Sequence, residues 1–405
     1  MGRSAKAAHI APQDWMKDAA TKSVLAALGG SRTARFVGGA VRDALLGREV
    51  LDIDIATRLP PQETMKRLAA ARIKAVPTGL AHGTVTALVP PRAFEITSLR
   101  RDVESFGRHA RVAFTEDWAE EARRRDFTMN ALFLDSAGAI YDYVDGLADL
   151  RRGRVRFVGA AAERIREDVL RLLRFYRFHA HYGRTPADAE ARAAARALAP
   201  LLPRLSAERV RTEIMKLLLA PDPTPTLALM REDGVLALVL PEAGALGRLG
   251  ALVKLEPTPD ALRRLAALIG GGADRVAARL KLSKAERERL AALTAPAAVD
   301  LAAGEPAQRR ALYRLGVPLY SDLVLLRAAE SGDAARAGVL LALAERGMPP
   351  FPLKGRDVTR RAVPAGPEVG RLLAAVERWW EAGDFRADRQ ACLAELERLI
   401  GPSHG

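Results

Sequence analysis

The chain changes character about a third of the way along, and this change limits the folds available to it. Between residues 33 and 145, short runs rich in β-branched and aromatic residues, such as 84–89, have the length of strands. Two helical patterns, at 40–46 and 61–71, interrupt them. From about residue 160 onward, long Ala/Leu/Arg periods separated by Pro and Gly clusters are typical of helices. The sequence therefore predicts an α+β domain around one sheet, followed by an all-helical remainder.

The length and composition fit a chain of several domains. At roughly 150 residues per domain, 405 residues predict two or three domains. Hydrophobic residues make up 49% of the chain, which is enough to fill real cores. Loop-forming clusters predict boundaries near residues 150, 240 and 347. The predicted segments are 25–150, 151–240, 241–346 and 347–405.

The net charge of +14 favours a polyanionic partner, either nucleic acid or an acidic membrane surface. A genome base composition that favours arginine codons would produce the same excess of positive charge. The charge alone therefore does not distinguish a polyanionic partner from an effect of base composition. No run of ~18 apolar residues exists, which excludes a membrane span, and the N-terminus lacks the apolar core of a signal peptide. The single cysteine, Cys392, excludes an intramolecular disulfide and a multi-cysteine zinc site. We expect a soluble, cytoplasmic protein.

A predicted strand at 35–37 runs into Gly38 and Gly39 and then into a helix. Two glycines let the backbone approach a ligand closely, and a helix start offers unpaired N–H groups to an anion. Arg42, one turn into the helix, has the fork geometry that grips phosphate. Taken alone, the segment is better explained as an ordinary strand-to-helix turn.

Asp52 and Asp54 are two residues apart on the next predicted strand, so both carboxylates project from one face while Ile53 and Ile55 face a core. Two adjacent negative charges favour a divalent cation, and oxygen ligands suit Mg²⁺ in a phosphoryl-transfer site. The alternative is a polar edge strand. Glu95 stands among apolar neighbours and is expected to be buried with a partner. It is either a third carboxylate of the metal site or the partner of an arginine.

A helix predicted over 163–178 carries an apolar face, and its opposite face carries charged residues, namely Glu167, Asp168, Arg171 and Arg174. These residues either form surface ion pairs or read a nucleobase. An acceptor beside a donor matches the order of groups that cytosine and adenine share, and opposes that of guanine and uracil. Arg125 and Asp126 offer a donor and an acceptor to a ribose edge and a phosphate in the same way.

The order and spacing of these motifs resemble the class II nucleotidyltransferases, the group of bacterial tRNA CCA-adding enzymes and poly(A) polymerases. The matching segments are 38–43, 52–54, 124–126, 167–171 and 206–213. The resemblance covers residues 33–240 well. It implies a mixed-sheet nucleotidyltransferase head (25–150) and a helical neck with the base-recognition helix (151–240). A helical body (241–346) and an RNA-binding helical tail (347–405) would follow.

The resemblance also implies site roles. Asp52 and Asp54 would hold Mg²⁺, with Mn²⁺ possible. Glu95 is not carried over from the family; from its position we take it as the candidate third catalytic carboxylate. The contacts to the triphosphate and the ribose would come from Gly38, Gly39, Arg42, Arg125 and Asp126. The contacts to the base would come from Asp168 and Arg171, with Glu167, Arg174 and Arg177 in support.

Within the family, segment 78–84 resembles the CCA-adding enzymes more than the bacterial poly(A) polymerases. This implies template-independent addition of C, C and A to the 3′ end of tRNA from CTP and ATP, with no membrane or protein partner. A poly(A) polymerase, a CC-only or A-only enzyme, and a catalytically silent RNA-binding protein are the alternatives. Segment 101–114 resembles the family's flexible loop, and His82 and His109 are either ligand contacts or surface groups.

Overall fold

The computed structural model describes residues 6–80, 83–106, 109–295 and 299–401. His82, a candidate ligand contact, and Gly107, in the segment that resembles a flexible loop, lie outside the described residues. The chain divides into two compact units, residues 1–241 and 242–405. None of the helices in the described ranges combines the length and apolarity that crossing a bilayer requires.

The part of the first unit that the structure describes contains ten strands in two sheets. They are β1 (Lys6–His9), β2 (Ala34–Val37), β3 (Ile53–Thr57), β4 (Lys74–Gly79), β5 (Thr84–Val89), β6 (Arg92–Ser98), β7 (Arg100–Phe106), β8 (His109–Phe114), β9 (Phe133–Leu134) and β10 (Ala139–Tyr141). The main sheet has eight strands in the order β1-β10-β9-β2-β3-β6-β5-β4. Strands β3 and β6 pair in parallel and the other neighbours are antiparallel, so the sheet is mixed, as predicted.

Strands β7 and β8 form a separate antiparallel ribbon. This ribbon contains most of segment 101–114, which resembles a flexible loop in sequence, so the described backbone there is extended and paired. Strand β5 has the bounds that the sequence predicts. Strand β3 begins one residue after Asp52 and runs to Thr57, so it lies later in the chain than its predicted span of 51–55.

Helices pack beside the main sheet and continue after it. The helices of the first unit are α1 (Asp14–Lys17), α2 (Ala19–Ala27), α3 (Gly39–Leu45), α4 (Pro61–Ala70), α5 (Trp118–Arg123), α6 (Gly146–Arg152), α7 (Ala161–Glu167), α8 (Leu170–Tyr182), α9 (Ala189–Leu198), α10 (Ala207–Leu218), α11 (Thr224–Glu232) and α12 (Val235–Val239). The sheet core is built by alternation: Ile53, Ile55, Phe94 and Ile96 are all buried.

The prediction of one continuous helix over 163–178 is wrong. Helix α7 ends at Glu167, and the backbone of Asp168 is extended, with φ −150° and ψ 107°. The Asp168 carboxylate accepts a hydrogen bond from the N–H of Leu170 at 3.1 Å, a local side-chain bond that competes with helix continuation. Asp168 therefore lies at a break between two helices and does not share a helix face with Arg171 and Arg174.

In its described residues the second unit is helical. Its helices are α13 (Leu246–Leu255), α14 (Ala261–Ile269), α15 (Ala273–Arg279), α16 (Lys284–Thr294), α17 (Glu305–Ser331), α18 (Ala334–Arg346), α19 (Gly355–Thr359), α20 (Pro367–Ala382) and α21 (Arg389–Ile400). Helix α17 changes direction at Gly316, whose φ is +73°. One cluster of buried residues draws on positions 299–344, and another, around Trp380, draws on positions 353–396.

Candidate active site

The turn between β2 and α3 lies close to two predicted site residues, Arg125 and Asp54. Gly38 has a φ of +70°, a backbone conformation that residues other than glycine rarely adopt. A Cβ at this position would lie 3.3 Å from Nη1 of Arg125 and 3.8 Å from Oδ2 of Asp54. The missing side chain thus lets the turn approach both groups.

Asp54 lies on β3, in register with Glu95 on the parallel strand β6. Burial raises the pKa of Asp54 above its usual value, and the negative charges of Glu95 and Asp52 raise it further. The positive charge of Arg125 opposes this rise only in part. The two paired strands therefore bring the carboxylates of Asp54 and Glu95 to the same part of the sheet.

Two details of the carboxylates differ from expectation. Asp52 precedes β3 and is exposed. The expected burial of Glu95 is wrong: its side chain lies on the exposed face of β6, because its apolar neighbours Phe94 and Ile96 point to the other face. No ion pair to Glu95 is found in the described ranges, and no three acidic, histidine or cysteine side chains there converge as a ready-made metal site.

Arg42 is held rigidly at the start of α3. Its side chain is nearly buried, and its Nε and Nη2 donate to the two oxygens of Asp43 at 3.0 and 2.9 Å. Nη1 donates to Oδ1 of Asn130 at 2.8 Å, and the guanidinium carbon lies 4.1 Å from the ring centre of Tyr182. A pocket of about 260 Å³ opens beside it, with Gly39, Asp52 and Asp54 among its lining residues.

The Asp126 carboxylate is surrounded by hydrogen-bond donors, and its side chain is 12% exposed. It accepts hydrogen bonds from Arg174 at 2.5 Å, from Asn130 Nδ2 at 3.2 Å and from the N–H of Phe127 at 2.9 Å. Burial raises its pKa, but the charge of Arg174 and these hydrogen bonds outweigh burial, so the pKa lies below its usual value. The ion pair with Arg174 connects the segment after α5 to helix α8.

Arg125, beside Asp126, points back toward α5 and the glycine turn. Its Nη2 donates to Glu121 at 3.2 Å, and its Nη1 donates to the carbonyl oxygen of Asn130 at 3.4 Å. Its Nε is buried without a hydrogen-bond partner in the described part of the chain.

Asp168 and Arg171, predicted as one base-reading pair, are held by different partners. Oδ2 of Asp168 accepts a hydrogen bond from Arg209 at 2.7 Å. Arg171 donates through Nη1 to Glu167 and to the carbonyl oxygen of Arg164. Both side chains are partly exposed, at 27% for Asp168 and 18% for Arg171.

Helix α10, which carries the last sequence motif, supports this region twice. Besides Arg209, it supplies Glu213, which accepts from Nε of Arg177 at 2.5 Å. No sequence motif indicates Arg164, whose Nη2 donates to the carbonyl oxygens of Arg124 and Arg125. Its position three residues before Glu167 on α7 is the only local signal for it.

Comparisons with known proteins identify the family of the chain. Residues 34–156 match the family model described as the Poly A polymerase head domain, and residues 188–246 match the probable RNA and SrmB- binding site of polymerase A. The mitochondrial CCA tRNA nucleotidyltransferase 1 of Mus musculus is 32% identical over 384 residues, covering 90% of this chain and 86% of that protein. The chain belongs to the family of CCA-adding tRNA nucleotidyltransferases.

A bacterial member of the CCA-adding family, the CCA-adding enzyme of Lactobacillus johnsonii, is 31% identical over 357 residues, covering 85% of this chain and 88% of that protein. The structure is similar to that of the Bacillus stearothermophilus CCA-adding enzyme in complex with CTP, with a TM-score of 0.76 and 28% identity over 95% of this chain and 98% of that one. The predicted family and fold class are thereby confirmed. CCA-adding enzymes and their relatives generally use a divalent metal ion.

Proposed function

We propose that this enzyme adds C, C and A to the 3′ end of tRNA, using CTP and ATP and releasing pyrophosphate. One observation carries the proposal: Gly39, Arg42, Asp52 and Asp54 line a single pocket, on a chain that belongs to the CCA-adding family. That pocket combines anionic groups that suit a cation with a cationic group that suits phosphate. Nucleotide addition needs both in one place.

The carboxylates fit a divalent metal ion. Asp54 carries a raised pKa because burial and two neighbouring carboxylates disfavour its negative charge, and a bound cation would relieve that repulsion. We propose that Asp52 and Asp54 hold Mg²⁺, or Mn²⁺, since oxygen donors suit both ions. When bound, the ion would neutralise charge that develops on the phosphoryl oxygens. Glu95 acts beside them as a third negative charge.

Arg42 and the glycine turn at Gly38 and Gly39 would receive the triphosphate. The hydrogen bonds that fix Arg42 leave the guanidinium little freedom, so a phosphate group that meets it finds the charge already oriented. Arg125 and Asp126 would contact the ribose. Because Asp126 has a lowered pKa, it stays ionised and acts as an acceptor throughout the neutral range.

Asp168 and Arg171 would read the base. Each carboxylate oxygen of Asp168 accepts one hydrogen bond within the protein, and each has a lone pair to spare for an exocyclic amine. Within the described ranges, the hydrogen bonds of Arg171 use Nη1, which leaves its other donors for a ring nitrogen. Glu167 holds Arg171 in place, and Arg209 holds Asp168. Arg174 and Arg177 would support the site through their ion pairs with Asp126 and Glu213.

We also propose the division into a catalytic head (25–150), a neck (151–240), a body (241–346) and an RNA-binding tail (347–405). The separate buried clusters at positions 299–344 and 353–396 support the last boundary. The cytoplasm is the proposed site of action. Poly(A) addition is the second candidate, because the matching model for the first segment carries the name of the poly(A) polymerase head domain.

The test is to size the products formed on tRNA that lacks its 3′-terminal CCA, with each nucleotide alone and with all four mixed. We expect addition of C from CTP alone, completion to CCA with CTP and ATP, and no tail beyond it. Long A-only products would assign the enzyme to poly(A) synthesis. RNA binding without any incorporation in the presence of Mg²⁺ or Mn²⁺ would identify a silent RNA-binding protein.

A further inference from the structure

Asn130 makes contacts with three of the proposed nucleotide-binding residues at once. It lies in the 3-10 turn Thr128–Asn130 and is 7% exposed. Its Oδ1 accepts from Nη1 of Arg42 at 2.8 Å, and its Nδ2 donates to Oδ1 of Asp126 at 3.2 Å. Its backbone carbonyl oxygen accepts from Nη1 of Arg125 at 3.4 Å.

The orientation of this amide is dictated by its neighbours. An arginine can only donate, so Arg42 must face the oxygen of the amide. The ionised carboxylate of Asp126 can only accept, so it must face the nitrogen. The asparagine amide has an acceptor oxygen and a donor nitrogen on the same carbon, so it meets both requirements. A hydrophobic side chain meets neither, and an aspartate meets only the first.

These contacts are part of a longer series that begins and ends on helix α8. Arg174 on α8 pairs with Asp126, and Asp126 accepts from Asn130. Asn130 in turn accepts from Arg42, which stacks on Tyr182, the last residue of α8. The amide of Asn130 is thus the point at which the arginine proposed for the triphosphate and the aspartate proposed for the ribose are tied together.

We propose that Asn130 is a positioning residue that couples triphosphate binding by Arg42 to ribose selection by Asp126. The inference rests on the proposed function and concerns the same site. Asn130 acts through the two charged residues, because both of its side-chain polar atoms are occupied by them. A displaced Asp126 would no longer discriminate against nucleotides that lack the ribose hydroxyl. A displaced Arg42 would bind the triphosphate less tightly.

Two variants separate the two halves of this role. Asn130→Asp keeps an oxygen for Arg42 but sets a second oxygen against the carboxylate of Asp126. Asn130→Ala removes both contacts. Thr128→Val is the matched control: it lies in the same buried turn and removes one hydrogen bond, from the Thr128 hydroxyl to Asp149, without touching Arg42 or Asp126.

The measurements are kcat/KM for CTP against dCTP on tRNA ending before its CCA, and inhibition by inorganic pyrophosphate. Thermal unfolding of each variant records its stability. We expect Asn130→Asp to lower the CTP/dCTP preference by roughly ten- to a hundredfold, the effect of losing a hydrogen bond to a charged group, while pyrophosphate inhibition stays within about twofold. Asn130→Ala should weaken both the CTP/dCTP preference and the inhibition by pyrophosphate. Thr128→Val should change neither of them, even if this variant unfolds at a lower temperature.

The inference is overturned if both Asn130 variants lose stability but keep the wild-type CTP/dCTP preference and the wild-type pyrophosphate inhibition. Asn130 would then be a structural amide. This result is distinct from failure of the proposed function, in which the wild-type enzyme itself would add no C, C and A to tRNA.

Discussion

Asp54 and Glu95 stand opposite each other, in register, on two neighbouring parallel strands of the main sheet. With Asp52 just before the first of these strands, they place negative charge where the proposed metal ion binds. Burial and the two other carboxylates raise the pKa of Asp54. The structure therefore contains an electrostatic penalty that a divalent cation would remove, and this penalty can be measured.

Replacing Asp54 should separate stability from activity. A carboxyl group whose pKa is raised by folding favours the folded state fully below its unfolded pKa, and that contribution is lost as the pH rises through the folded pKa. At pH 7 and in a chelator, Asp54→Asn should therefore unfold at a higher temperature than the wild type, and the difference should vanish in acid. Nucleotide addition by this variant should fall below a few per cent of wild type.

The matched control for that experiment is Asp52→Asn. Asp52 is exposed, so its removal should lower activity to a similar extent with little gain in stability. Added Mg²⁺ should raise the unfolding temperature of the wild type but not that of either variant. A wild type that is more stable than Asp54→Asn in chelator would contradict the electrostatic argument, and retained activity in either variant would contradict the metal assignment.

Arg125 and Asp126 should govern the choice of ribose over deoxyribose. Groups that hydrogen-bond a hydroxyl reject the analogue that lacks it, because they are left unpaired. Arg125→Ala and Asp126→Asn should lower the CTP/dCTP preference by roughly tenfold or more. Arg123→Ala, an exposed arginine two residues earlier, serves as the control and should leave the preference unchanged. Wild-type ratios in both site variants would make the pair structural.

Asp168 should determine which bases are accepted. Asp168→Asn replaces an acceptor by a donor that can face the carbonyl group of uracil or guanine, so incorporation of U and G should rise relative to C and A by roughly ten- to a hundredfold. Arg209→Leu, which removes the ion pair that orients Asp168, should slow C and A without helping U or G. Competition assays with CTP and UTP measure both effects. An unchanged C:U ratio in Asp168→Asn would show that Asp168 takes part only in ion pairs.

RNA binding should weaken steeply as salt rises, because the net charge of +14 favours contacts with many phosphates. Each neutralised phosphate contributes about 0.7 to 0.9 to the slope of log K against log salt. Exposed arginines of the proposed tail, such as Arg356 and Arg360, should carry part of that slope. Replacing both with alanine should lower the slope by about 1.5 if each contacts one phosphate. A wild-type slope near zero would mean that the charge is compositional.

The elements that depend on local pattern could be predicted from the sequence. Alternation on β3 correctly placed Ile53 and Ile55 in the core, and the paired glycines marked the turn before α3. The same logic misplaced Glu95, because apolar residues on both sides of a strand position indicate the opposite face and say nothing about burial of the position itself. The α+β first segment and the helical remainder followed from composition and period, whereas the mixed character of the sheet was implied by the family resemblance.

The parts of the fold and site that could not be predicted depend on contacts between segments that are far apart in the sequence. The apolar period of 163–178 continues across the break at Asp168, so the pattern predicts one helix although a side-chain bond to Leu170 and an ion pair with Arg209 interrupt it. The link between Arg42 and Asn130 joins residues 88 positions apart. Nothing in the local sequence of either residue indicates the other.

Helix α8 has a practical consequence for building hybrid enzymes. Because Arg174 and Tyr182 on this helix both fix residues from before position 131, a chimaera joined at residue 150 would combine an Arg42 and an Asp126 from one parent with their supports from another. Such a chimaera would work only if the residues at positions 174 and 182 from one parent fit those at positions 126 and 42 from the other. A crossover at residue 241, between the two compact units, transfers the whole nucleotide-binding assembly intact.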